Sequence, residues 1–335
     1  MSLAGRARYG IDDKDFKWQG RLEWQNGAGL AVRVFAQRDF LEVGEEPERS
    51  RALNSIAAQE FGSDYTDPFE LVSAGLAIER APPGEPLWRF EVAAEKPSSL
   101  TVHASPVEGH FLEPIDVPRF SRARVTLRRE RPTSLWLLGT ELRTAIELRG
   151  LRAHAPLACA PSLVTCRPDY TTIRGSFIAD VERPFGRERV VLHTIAGAVV
   201  AKDDVIPSTE LLYFGGPVSA AGYDFHQLVG RAGASQRVEW RFPVPFVALP
   251  LGRFGKIPGS ATLAPYGQVV ALGGGPVALS RGGQTFSTSV AGGYPAAGVG
   301  LLPFFDLLRF DVSRGFRNGR WLFSIDVNPE FWSIL

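Results

Sequence analysis

An all-β chain whose strands form an antiparallel membrane β-barrel is what this sequence predicts. Three observations carry that expectation. Apolar and polar residues alternate with a period of two in segment after segment, and successive side chains of a strand point to opposite faces. The polar members of these segments are densely charged, with both signs interspersed. Aromatic residues (Tyr9, Trp24, Trp88, Trp136, Phe316, Trp321 and Trp332) stand near segment ends, as an interfacial girdle would.

Composition narrows the choice. The 335 residues include 37 Lys and Arg against 36 Asp and Glu, a net charge of +1. That balance excludes a strongly basic nucleic-acid binder and a disordered acidic chain. Mean hydropathy is −0.03. A multi-span helical membrane protein is excluded by that value, whereas a barrel fits it, because alternation averages to neutral.

In chain order, Phe16, Trp18, Leu22 and Trp24 share a face opposite Lys17, Arg21 and Glu23. Trp88, Phe90 and Val92 alternate with Arg89 and Glu91. Val125 and Leu127 alternate with Arg124, Thr126 and Arg128, and Ile146 and Leu148 with Glu147 and Arg149. Val238, Trp240 and Phe242 alternate with Arg237, Glu239 and Arg241. Leu308, Phe310 and Val312 alternate with Arg309 and Asp311. Turn chemistry separates the runs: NGAG at 26, PPGE at 82, KPSS at 96, RPT at 131, PFGRE at 184 and FRNGR at 316. Longer polar loops fall near 42–67, 107–118, 151–167 and 203–232. One helix-like stretch, Glu48 to Glu60, lies inside the first of them. The spacing gives about fourteen to sixteen strands. No composition shift marks a boundary, so residues 1–335 read as one domain.

Alternation alone leaves a large soluble sandwich or propeller open. No repeat of propeller period is evident. Residues 1 to 10 hold no apolar signal core, so either the protein is cytoplasmic or the numbering starts after processing or at an excised domain. Cys159 and Cys166 lie in a Pro-rich stretch. Without nearby His they make a weak metal signal; a short disulfide clamping the loop is the favoured reading, with two free thiols as the alternative.

Residues 213 to 225, Y-F-G-G-P-V-S-A-A-G-Y-D-F, resemble the inward-folded loop of the BamA/TamA-type outer-membrane barrel superfamily, the bacterial surface antigen barrels. The family pattern there is approximately G-G-x-x-S-x-R-G-Y/F. The cadence G-Y-P-A-A-G-V-G-L-L-P-F-F-D-L-L-R-F-D-V-S-R-G-F resembles the family's penultimate hairpin. The final segment, with Trp321, Phe323, Ile325, Val327, Phe331 and Trp332, resembles the C-terminal signal of outer-membrane barrels. The similarity is specific over residues 170–335 and weaker before them.

This resemblance implies a sixteen-stranded barrel, with fourteen as the alternative count, in a bacterial outer membrane. A loop carrying Gly215, Gly216, Ser219, Gly222, Tyr223 and Asp224 would fold into its lumen. It implies insertion or transport of proteins at that membrane, with lipid around the barrel and client proteins, a periplasmic partner or an upstream domain as partners. The sequence departs from the family at two facing positions. The family's loop arginine is Ala221, and its acidic wall partner is Gln268. The charged pair is missing as a unit, which avoids an uncompensated buried charge. Tyr223, Asp224 and neighbouring polar groups would then have to hold the loop. The chain has no room for periplasmic domains, so a passive channel or an anchor for a separate soluble domain is the second reading. Pro329 interrupts the last segment and is expected to shorten pairing at the seam between the first and last strands.

No catalytic constellation emerges. His103, His110, His154, His193 and His226 are scattered without metal spacing. His110 with Glu108, Glu113 and Asp116 reads as a solvated loop. The serines lie outside any nucleophile elbow, and the glycines at 273–275 precede no helix. The expectation is a protein that is not an enzyme and holds no metal or cofactor.

Overall fold

The fold comes from a computed structural model. It describes residues 1–9, 15–82, 85–102, 105–137, 139–154, 169–202, 206–248, 250, 259–288 and 291–328. The period-two segments become long strands. In chain order they are β1 (Ser2–Tyr9), β2 (Phe16–Gln25), β3 (Leu30–Glu42), β4 (Pro68–Arg80), β5 (Leu87–Ser99), β6 (Arg122–Leu137), β7 (Thr140–His154), β8 (Asp169–Phe185) and β9 (Glu188–Ala201). Then follow β10 (Leu212–Phe214), β11 (Leu228–Gly230), β12 (Ala232–Pro245), β13 (Ser260–Gly273), β14 (Val277–Arg281), β15 (Gln284–Thr288), β16 (Gly292–Leu302), β17 (Leu308–Gly315) and β18 (Trp321–Val327).

Fourteen of these form one antiparallel sheet in the order β1-β2-β3-β4-β5-β6-β7-β8-β9-β12-β13-β16-β17-β18. Each strand pairs with its sequence neighbour in the sheet. The remaining four make two small hairpins, β10–β11 and β14–β15, inside connections. The sheet therefore has fourteen strands rather than the sixteen implied by resemblance. One misread signal lies in β6. The RPT stretch at 131 is no turn: β6 runs through it, with a register shift between Arg131 and Leu135 against β7. A proline cannot donate to the ladder, and a bulge is where a strand tolerates one. KPSS at 96 likewise lies within the end of β5.

Most of the short turns lie at one end of the sheet, although the β12–β13 connection there is long and the β1–β2 and β17–β18 connections at the other end are short. The ends of β2, β4, β6, β8 and β16 lead into short turns, on the side where β1 begins and β18 finishes. The long connections after β3, β5 and β9, and the hairpin-bearing one after β13, all leave the opposite end. The first of these carries α1 (Arg51–Phe61), at the site of the helix-like stretch. Ser50 caps it by accepting from the Leu53 N–H, and Gly62 ends it in the left-handed conformation.

The outer face is apolar and exposed: Leu22, Val34, Leu76, Phe90, Leu127, Leu148, Ile173, Val238 and Phe323 are all open on it. Trp24, Trp88 and Trp240 ring this face near the short turns, and Tyr9, Phe16, Phe316 and Trp321 near the other end. No helix among the described residues is long and apolar enough to cross a membrane. On the inner face, ion pairs run strand to strand. Arg33 bonds Glu23 at 2.9 Å and Glu79 at 3.0 Å, Arg89 meets Glu79 at 3.3 Å and also Glu91, and Arg124 links Glu91 to Glu95. Arg122 closes the ladder on Glu95 at 2.8 Å.

Candidate functional site

The connection between β9 and β12 folds back over the inner face. Its hydrophobic side chains Leu212, Phe214, Tyr223 and Leu228 pack with Ile195 of β9, Val270 and Leu272 of β13 and Tyr294 of β16. Burial of this apolar surface, at about 25 cal/mol per Å2, is what draws the loop inward. Nearer the long-loop end, Leu211, Tyr213 and Val229 pack with Phe69 of β4 and with Val43, Ile115 and Leu279 from neighbouring connections.

Within the loop the backbone turns on itself. Gly215 N–H donates to Ser219 Oγ at 2.9 Å, Gly216 N–H to the Tyr223 carbonyl at 3.0 Å, and Tyr223 N–H to the Ala220 carbonyl at 3.1 Å. Gly216 has φ of 113°, and a Cβ there would stand 2.7 Å from the Glu48 carboxylate. Gly222 has φ of 84° and lies against the backbone of Gly315 in β17. Both positions therefore need glycine, for conformation and for close approach.

The wall meets the loop where the sequence placed the missing charged pair. Ala221 N–H donates to Gln268 Oε1 at 2.9 Å. Gln268 Nε2 donates to the Val218 carbonyl and to Ser235 Oγ, both at 2.9 Å. Ser235 Oγ donates to the Ser219 carbonyl at 2.6 Å. Arg237 of β12 donates to the Pro217 carbonyl at 2.9 Å. Tyr223 Oη donates to the Pro295 carbonyl at 2.9 Å, and Asp224 pairs with Arg320.

A second anchor had no signal in the sequence. Glu48, from the β3–β4 connection, accepts the Val218 N–H at 2.7 Å and the Ser219 N–H at 3.1 Å. Burial pushes its carboxyl up to about 7, against the lowering effect of these N–H bonds. Ser50 beside it donates through N and Oγ to Asp326 of β18 at 2.9 and 2.6 Å. Glu45 pairs with Arg174 of β8. A third buried group ties the connections together. His226 (φ 49°) faces Asp67 at 2.6 Å, and Arg281 bonds the same carboxylate at 2.8 and 3.0 Å. Burial lowers the His226 pKa.

On β12 and β17, Glu239 is gripped by Arg237 at 2.9 Å, Arg241 at 2.5 Å and Arg309 at 2.6 Å, and Arg309 also holds Asp311 at 2.5 Å. Arg309 crosses two strands to do so. A Cβ on Gly300 of β16 would meet its guanidinium at 2.9 Å.

Trp321, Phe323 and Ile325 stand exposed on the outer face of β18, whereas Val327 is buried. Phe331, Trp332 and Pro329 lie outside the described residues, as do Cys159 and Cys166. Asp116 accepts from Ser280 and from Gly283 N–H, tying its loop to the β14–β15 hairpin. No three His, Cys, Asp or Glu side chains among the described residues group as a metal site.

No family model matches the chain, and no curated protein does. Among solved structures, LpxR from Salmonella typhimurium is similar at 7% identity and a TM-score of 0.28, over 81% of this chain and 85% of that one. LpxR is an enzyme, and on that finding the expectation that this chain is not an enzyme no longer stands. The likeness is too slight to assign an activity.

Proposed function

We propose that this chain is an outer-membrane β-barrel of the BamA/TamA type, closed by β1 meeting β18, in which the inward loop gates a lumen used to insert or transport proteins. The observation that carries the reading is the seating of residues 213–225 on β12 and β13 through Gln268 and Ser235. The exposed apolar face supports a lipid surround, because patches of that extent are not left to water. In lipid the free edges of β1 and β18 would each carry unpaired backbone groups, so the two strands must pair with one another or with a client strand. The even strand number and the preponderance of short turns at one end fit outer-membrane barrels. On this reading the short turns and both strand termini face the periplasm.

Planar-bilayer recording tests the gate. The native chain is expected to stay closed with brief openings, and Gln268→Leu to lengthen them. Insertion of a smaller barrel into liposomes should be accelerated by the native chain. Loss of both effects would overturn the reading. A second reading, a passive anchor, is favoured by one observation: neutral hydrogen bonds replace the family's charged latch. A silent bilayer with every loop variant is its signature.

A further inference from the structure

Below the seated loop, at the short-turn end of the inner face, lies a cavity of about 310 Å3. Its roof is made by Glu48, Pro217 and Val218 of the two inward connections. Its walls are the ends of β7, β8, β9, β12, β17 and β18. Eight carboxylates line it against four guanidiniums and one imidazole.

Several of these carboxylates make no salt bridge to an arginine or lysine among the described residues. Glu46 and Asp180 share one imidazole, His193, at 2.8 and 2.7 Å. Asp326 is met by Ser50 and by the Val327 N–H, and Glu48 by backbone N–H groups. Neither makes a salt bridge among the described residues. The cavity therefore favours a cation over an anion.

An acidic lining alone would be a solvated surface. The second observation is Asn328, just past β18. It is fully buried and lines the cavity, yet neither Oδ1 nor Nδ2 has a hydrogen-bond partner. Its backbone is fixed, with N–H donating to the Leu307 carbonyl at 2.9 Å. A buried carboxamide left unpaired costs stability that a leucine of similar size would not. A carboxamide presents a donor and an acceptor side by side, the complement of a peptide group.

We propose that this cavity binds a peptide segment carrying a lysine or arginine, with Asn328 pairing to its backbone and Glu46, Asp180 and Asp326 meeting its cation. Because Glu48 and Val218 form the roof, an occupant touches the anchor of the loop. The inference rests on the proposed function only for the compartment this end faces; binding itself is independent of transport.

Fluorescence anisotropy on the full chain in detergent micelles tests it, using a labelled acetyl-Gly-Lys-Gly-amide and its Glu counterpart. The lysine peptide should bind, and more weakly as salt rises from about 0.1 to 1 M. Asn328→Leu should weaken it about tenfold while leaving the thermal midpoint unchanged or raised. Asp180→Asn, at a half-exposed rim position, should also weaken it. Equal binding of the Glu peptide, full affinity in Asn328→Leu, or spermidine competing as tightly as the peptide would each overturn the proposal. Peptide binding with no conductance or insertion would leave the site standing and remove the proposed function instead.

Discussion

Two ion-pair arrays line the same inner face and differ in depth. The ladder across β2 to β6 is partly wet: the side chains of Arg33 and Arg89 are 20% and 35% exposed. The knot on β12 and β17 is dry: Glu239 is 3% exposed and Arg309 9%. Identical residue types therefore serve different ends. A solvated pair gains little over water and is screened by salt. A desolvated one is dominated by what happens when a partner is removed. The ladder dries from Glu91 through Glu95 to Arg122, and Arg122 is where it meets the inward loop through Thr209 at 2.9 Å.

The sharpest way to break this contrast is Glu239→Gln. Three guanidiniums lose their common partner, and a loss of about 3–5 kcal/mol is expected. Urea unfolding in micelles, followed by electrophoretic mobility, reads it. A shift as small as that of a ladder variant would erase the distinction between the arrays.

Glu48 gives the next largest effect. Its carboxyl sits at about 7 in the folded chain against an ordinary 4.5, so the folded state binds more protons between those values. The seated loop is then most stable below the ordinary value and loses of order 3 kcal/mol as pH rises through about 7. Amide exchange at Val218 and Ser219, corrected for its intrinsic pH dependence, should quicken over that range. Glu48→Gln should flatten the profile.

Gln268→Leu ranks third. It strips Ala221 N–H and the Val218 carbonyl of their partner, for about 2 kcal/mol, and should expose the 213–225 segment to protease. Smallest is Glu79→Gln in the ladder, expected within about 1 kcal/mol. Its effect should shrink further in high salt, whereas that of Glu239→Gln should not. Salt dependence is thus the finer ruler of the two arrays.

Strand existence was legible because a period of two repeats over ten or more residues, as from Phe16 to Gln25. The Ala221–Gln268 contact was legible through a motif and its wall strand. The RPT stretch misled because a proline marks a turn and a bulge with the same residue. Glu48 was invisible for a different reason. It joins Val218 across 170 positions, both within irregular connections, and no periodicity encodes such a meeting. Asn328 carries no pattern at all; its interest lies in a vacancy of hydrogen bonds that only three-dimensional packing reveals. Val327, counted with the outward residues of β18 by parity, ends buried.

Gly300 has a mechanical consequence. By leaving room for Arg309 to reach Glu239, it lets a bidentate bond join strands three places apart, an arc of about 14 Å at the usual strand spacing. Such a bond is a bowstring. Flattening that stretch of wall would lengthen it, so Arg309, with Arg237 reaching Asp311 at 3.6 Å, ties β12 to β17 from within. Under load, that part of the sheet should bend as a stiff panel.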